Sequence, residues 1–188
     1  MRLAAPRIAP LKDAELTDEQ REALKPMFAT GRPVLNIFRT LARAPKALTR
    51  FNDWGSYVLS RRNSLTARER EIVILRVGFL CKSGYEFTQH TRIGLEAGLT
   101  ADEIGRIKAG AEAGWSPAEA SLIRAADELV KDHFVSDSTW AALSQHFDEK
   151  QRMDVVFTAG QYTQVSMFLN TFGVQLDAGQ TLDPDLRA

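Results

Sequence analysis

The sequence predicts an all-α fold of roughly eight helices in a single domain. Three observations predict it. Apolar residues recur at three- and four-residue intervals along nearly every hydrophobic segment, which is the spacing of one helix face. A hydroxyl or aspartate followed three residues later by Glu or Gln recurs along the chain, at Thr17–Gln20, Thr66–Glu69, Ser83–Glu86, Thr100–Glu103, Ser116–Glu119 and Asp148–Gln151. Each such pair is a capping box, able to satisfy two backbone N–H groups at a helix start. No Asn-Gly hairpin and no useful apolar/polar alternation argues for strands.

Residues 1–16 read as an extended, proline-containing arm, either lying over a neighbour or pocket or frayed. A helix from Thr17 runs toward Phe28, with Pro26 disturbing its last turn. Gly31-Arg32-Pro33 is a turn, after which Val34, Ile37, Phe38 and Leu41 recur at helical spacing. Pro45 suits the first position of the next helix, whose inner face is expected to carry Leu48, Phe51, Trp54, Val58 and Leu59. Thr66 caps a strongly apolar segment ending near Leu80. Its many β-branched residues also suit a strand, but the cap and the Arg-Glu-Arg-Glu start decide for helix. Ser83 opens a further helix that stops at Gly98, a suitable C′ glycine.

Thr100 starts a short helix carrying Ile104 and Ile107. Ser116-Pro117 starts another over Leu122–His133, and Asp137 or Ser138 opens one with Trp140, Leu143 and Phe147. Asp148 caps a long last helix through Met153, Val156, Phe157, Val165 and Phe168, with Gly173 as its stop. The tail 177–188 is polar and irregular, leaving 17–176 as the helical domain. A short echo links Arg70-Glu71-Ile72-Val73 to Arg152-Met153-Asp154-Val155-Val156.

At 188 residues the chain is long enough for a real core. Hydrophobic residues make up 44% and charged residues 26%, an ordinary globular composition. Lys+Arg and Asp+Glu both total 24, so net charge gives no reason to expect nucleic acid or an anionic membrane as partner. No window approaches ~18 uninterrupted apolar residues, so no membrane span is expected. The N-terminus has no continuous apolar region and does not read as a secretory signal. The single cysteine, Cys81, excludes an intrachain disulfide and fits a reducing cytoplasm.

The candidate chemistry lies between Thr66 and Leu99. Glu86 and His90 are four residues apart and share a helix face. Glu71, fifteen residues before Glu86, lies on the preceding helix, and the tight break at Lys82-Ser83-Gly84 makes the two helices neighbours. Each residue has a plainer role open to it. Glu86 can serve only as the N3 arm of the Ser83 capping box, His90 as a hydrogen-bonded core histidine, and Glu71 as a surface charge. At a helix N-terminus a carboxylate tends to stay ionised unless burial opposes it. Tyr85 and Phe87 flank Glu86, one facing core and the other a pocket. Trp54, Tyr162 and Asn170 are further pocket candidates, with packing as the alternative for Trp54 and Tyr162. Glu86 and His90 alone make half a metal site. His133 and His146 offer no partner spacing, so no metal and no cofactor is expected.

The pattern Arg-Glu-Arg-Glu, an apolar run, Tyr-Glu-Phe-x-x-His, then Ala-Gly-Leu-Thr-x-x-Glu-Ile resembles the carboxymuconolactone decarboxylase / alkylhydroperoxidase D superfamily. The likeness is strongest from Arg68 to Ile104. Peroxidatic members carry Cys-x-x-Cys-x-x-x-His with a glutamate on the preceding helix as proton relay. Those cysteines fall here on Ser83 and Glu86, the histidine on His90 and the relay on Glu71. Decarboxylase-type members carry Glu-x-x-x-His, which Glu86 to His90 matches. The resemblance thus implies the cysteine-free side of the superfamily and its helical bundle. It also implies a homo-oligomer, from dimer to trimer or hexamer.

It further implies a lyase that decarboxylates a small lactone or keto acid from aromatic breakdown. His90 is then the acid/base, Glu86 and Glu71 orient it, and Tyr85, Trp54 and Tyr162 meet the substrate. Two alternatives stand beside it. One is a peroxidase-like antioxidant protein lacking its cysteine pair, and the other is a non-enzymatic oligomeric small-ligand binder.

Overall fold

A computed structural model describes residues 2–187, and among these the chain forms nine α-helices and no strand. They are α1 (Asp18–Phe28), α2 (Asn36–Leu41), α3 (Pro45–Leu59), α4 (Ala67–Leu80), α5 (Gly84–Glu96), α6 (Ala101–Ala109), α7 (Pro117–Lys131), α8 (Asp137–Ser144) and α9 (Glu149–Phe172). Capping boxes form as expected at Thr17, Thr66, Thr100, Ser116 and Asp148. Gly173 stops α9 with a left-handed backbone, φ +68°, a conformation that costs glycine little. None of these helices is long and apolar enough to cross a membrane.

α4 is the hub. Every residue from Glu71 to Gly78 is buried, because α4 packs on α5, α6, α7 and α9 at once. Its side chains join those of α5, α7 and α9 in the main core, and full burial of each Ile, Leu or Phe contributes about 1.5–3 kcal/mol. A smaller second core holds Leu11 and Leu16 of the N-terminal segment against Leu24, Val34, Ala42 and Leu48 of α1–α3. The arm crosses the end of α9, where the Arg7 and Ile8 N–H groups donate to the Phe172 carbonyl at 2.9 and 3.1 Å. That carbonyl has no partner within its own helix.

Two features depart from expectation. Trp54 and Leu59 are 40% and 47% exposed rather than inward-facing. Leu48 and Val58 hold the inner stripe of α3, and Trp54 at its margin stacks on Tyr57 at 5.3 Å and edges onto Phe157 at 5.4 Å. The box expected at Ser83–Glu86 does not form: Ser83 makes no side-chain cap. Its N–H donates instead to the Gly78 carbonyl at 2.8 Å, closing α4, so no donor is left for Glu86.

Charged groups join the helices where apolar contact cannot. The Arg68 guanidinium binds Glu103, Glu119 and the Gly98 carbonyl, tying the start of α4 to the starts of α6 and α7. Arg76 binds Asp127 and the last carbonyls of α6, at Ile107 and Lys108, which suits the negative end of a helix. Asp154 is fully buried yet accepts hydrogen bonds from Tyr57 Oη, the Ser64 N–H and Lys150 Nζ, at 2.7, 2.7 and 2.8 Å.

The hydrogen bond from Arg68 holds the Glu103 carboxyl down to about 2. Burial opposes ionisation of Glu119 and Asp154, but hydrogen bonds that Glu119 accepts from Ser116 and Arg68, and Asp154 from Lys150, the Ser64 N–H and Tyr57, still leave both below the ordinary range. A depressed carboxyl stabilises the fold above its unfolded pKa and loses that contribution as pH falls through the folded value. Urea midpoints should therefore fall from about pH 5 toward about pH 2. Arg68→Ala should cost about 2 kcal/mol at neutral pH and flatten the Glu103 and Glu119 part of that acid slope.

Candidate active site

The site lies at the seam between the two cores. α1, α2, α3, α5 and α9 enclose a cavity of about 480 Å³. α4 and α5 run antiparallel, so Glu71 in the second turn of α4 meets His90 in the middle of α5. Glu71 Oε2 lies 2.7 Å from His90 Nδ1, with both side chains buried. His90 lines the cavity, and its ring stands edge-on to Tyr162 of α9, 4.8 Å between centroids. With Nδ1 engaged by Glu71, Nε2 is the ring nitrogen left for a ligand.

Glu86 is on the same wall but is not placed as the sequence suggests. Its Oε2 accepts from Ser166 Oγ at 3.1 Å, and its Oε1 is buried without a hydrogen-bond partner. Oε1 fits against the α4 backbone only because residue 78 is glycine, where an added Cβ would sit 2.9 Å away. Burial pushes the Glu86 carboxyl well above the usual range, the nearby Glu71 charge adds to this, and the Ser166 bond opposes it. The helix N-terminus was expected to keep Glu86 ionised; burial opposes it and pushes the carboxyl toward its neutral form. Burial, and then the Glu71 charge, push the Tyr162 hydroxyl well above its ordinary range.

The remaining candidates divide. Tyr85 lines the cavity while Phe87 packs in the main core. Tyr162 lines the cavity, whereas Trp54, at the margin of the α3 stripe against Phe157, does not. Asn170 also lies outside, donating to the Cys81 carbonyl at 2.9 Å. His133 and His146 do not reach the cavity. Among the described residues no three His, Cys, Asp or Glu side chains gather as a metal site.

The structure adds residues that sequence reasoning missed. Asp177, in the tail, accepts from Tyr85 Oη at 2.5 Å, Gln89 Nε2 at 2.8 Å and the Asn36 N–H at 2.8 Å. It thereby fixes two cavity residues and the start of α2 through one carboxylate. Ser166 and Gly78 fix Glu86. Only Gly78 left a sequence signal: a glycine inside an apolar helix costs roughly 1 kcal/mol and marks a close approach.

Residues 45–128 match the model of the carboxymuconolactone decarboxylase family. The match runs from the start of α3 into α7, so it includes Glu71, Glu86 and His90 but not Tyr162, Ser166 or Asp177. No curated protein matches the chain. Among solved structures, the chain is similar to an uncharacterized peroxidase-related protein with an alkylhydroperoxidase core from Ralstonia eutropha JMP134. Their TM-score is 0.78 at 20% identity, over 93% of this chain and 95% of that one. It is similar to an uncharacterized peroxidase-related protein from Silicibacter sp. TM1040, with a TM-score of 0.77 at 14% identity, over 94% and 92%. A cysteine-to-alanine variant of the debrominase Bmp8 in complex with 2,3,4-tribromopyrrole gives 0.76 at 9% identity, over 93% and 94%. At these identities the likeness establishes the fold.

Gly78→Ala should push the Glu86 carboxyl out of its niche and cost about 2 kcal/mol, read by urea denaturation. Glu86→Gln tests the raised carboxyl. A carboxyl with a raised folded pKa contributes stability at low pH and loses it as pH rises through the folded value. The glutamine variant has no such loss, so its melting temperature should gain on wild type as pH rises above about 5.

Proposed function

We infer, from the premise that this chain belongs to the carboxymuconolactone decarboxylase / alkylhydroperoxidase D superfamily, that it is a proton-transfer enzyme of the decarboxylase type acting on a small lactone or keto acid. The observation that carries this reading is the buried Glu71–His90 pair at the wall of a largely apolar cavity. Loss of carbon dioxide breaks a carbon–carbon bond and leaves its electron pair on a carbon next to a carbonyl. That pair delocalises onto the carbonyl oxygen until the carbon is reprotonated. On this reading His90 Nε2 delivers that proton and recovers it from solvent, with Glu71 fixing the tautomer and ring angle. The Tyr162 hydroxyl is the neutral donor for the developing enolate oxygen. Glu86, held by the Ser166 hydroxyl and raised by burial, sets the pose of this wall.

Cys81 gives a thiol-peroxidase reading no support. Burial pushes its thiol above the ordinary range, and reactivity needs the thiolate.

The test is carbon dioxide release from a panel of small lactone and keto acids. His90→Ala should lose at least about 100-fold in kcat with helical circular dichroism retained, and Glu71→Gln should fall between the two. Full activity in folded His90→Ala rejects the assignment.

A further inference from the structure

Most polar side chains around the cavity are already met. Tyr85 and Gln89 donate to Asp177, Glu86 Oε2 accepts from Ser166, and His90 Nδ1 is engaged by Glu71. Asn52 is half-buried, and Asp53, Ser56 and Arg92 are exposed, so water reaches them at the rim. Two consecutive residues of α9 stand apart. Gln161 and Tyr162 line the cavity, each is 5% exposed, and among the described residues neither side chain makes a hydrogen bond. The Tyr162 hydroxyl has a role in the proton-transfer reading. The Gln161 carboxamide has none. Unlike Glu86 Oε1, that amide is not sealed in by its neighbours, so its free surface belongs to the cavity.

Gln161 has this place because α3 carries a glycine opposite it. The nearest neighbour of a Cβ added at Gly55 would be Gln161 Nε2, at 3.8 Å, and Gly55 lines the same cavity. The amide thus lies against bare helix backbone, whose own groups are spent within α3. A buried carboxamide without a partner is a net cost to the fold. A ligand that supplies the partner removes that cost, and a site built this way rejects an analogue lacking the group. The amide N–H groups call for an oxygen that accepts, whether carbonyl, hydroxyl or carboxylate. At about 480 Å³ the cavity lies within the range of small-molecule pockets.

We propose that Gln161 is the specificity-determining residue of this cavity: with the acid group of a ring-sized ligand at His90, its carboxamide holds a second oxygen of the same molecule. The inference deepens the decarboxylase reading by naming the group that selects the substrate. It rests on that reading only for why an acid is seated at His90.

Calorimetric titration with benzoate, meta- and para-hydroxybenzoate and isophthalate, at one pH and ionic strength, tests it without turnover. The wild-type protein should bind at least one of the three oxygen-bearing acids at least about 10-fold more tightly than benzoate. Gln161→Met, apolar and of similar volume, should erase that preference and move benzoate affinity by less than about 3-fold. The urea midpoint of the ligand-free variant should equal or exceed that of wild type, because the fold loses no hydrogen bond. A preference that survives in Gln161→Met overturns the proposal. A lowered midpoint assigns Gln161 to the fold and overturns it too. So does a wild-type protein that shows no preference, or that binds none of the four acids at millimolar concentration. A preference abolished in Gln161→Met, with no carbon dioxide release from any panel acid, upholds the role of Gln161 and rejects only the decarboxylase reading. Carbon dioxide release with the preference unmoved by the substitution rejects Gln161 alone.

Discussion

The site depends on how closely α4 and α5 approach. Two glycines set that distance, one on each helix and one near each end of the contact. Gly78 of α4 gives up its side chain to the Glu86 carboxyl, and Gly94 of α5 gives up its own to Leu75, Leu99 and the Glu71 stem. A Cβ at either place would meet atoms at 2.9 to 3.2 Å, tighter than packed cores sustain. With both absent, the helices close until Glu71 reaches His90. The Glu71–His90 pair follows from backbone spacing.

That closeness places ionisable groups where water cannot help them, and α4 answers each one locally. Glu71 is met by His90, and Arg76 by Asp127 and two helix-end carbonyls. Glu86 Oε1 and Arg70 Nε are exceptions, buried without a hydrogen-bond partner. An orphaned buried polar atom costs on the order of 1–3 kcal/mol, and the same burial pushes the Glu86 carboxyl well above its ordinary range. The stability to carry it comes from elsewhere: the Arg68 cluster, Asp154 with its three donors, and the continuous apolar surface of α4. Fold and site thus draw on different residues.

The helices were legible because their signals are local. A capping box needs four residues and an apolar stripe needs two turns, and both are written consecutively. Glu71, Glu86 and His90 were found for a related reason: one short break joins the two helices, so spacing along the chain converts into spacing in space. Trp54 was misplaced because helical periodicity identifies a stripe but not its margins. Asp177 and Ser166 were invisible because their partners lie 80 or more positions away. Nothing in a polar tail announces that one of its carboxylates gathers three donors. The Ser83 box was misread because four matching residues do not reveal that the Ser83 N–H is already committed to Gly78.

The state of Glu86 turns on two opposing effects at one position. A helix N-terminus favours an anion by about 0.3–1 kcal/mol when exposed, and up to about 2 kcal/mol when partly buried. Full burial of a carboxylate costs several kcal/mol, and the Ser166 hydrogen bond returns only part of it. Burial therefore wins. In peroxidatic relatives, as the sequence resemblance aligns them, a cysteine occupies this position, and there the same helix field favours a thiolate. Here a glutamate stands at that position, seated against Gly78, and burial pushes its carboxyl well above the ordinary range. Beside it the imidazole of His90, engaged at Nδ1 by Glu71, lines the cavity.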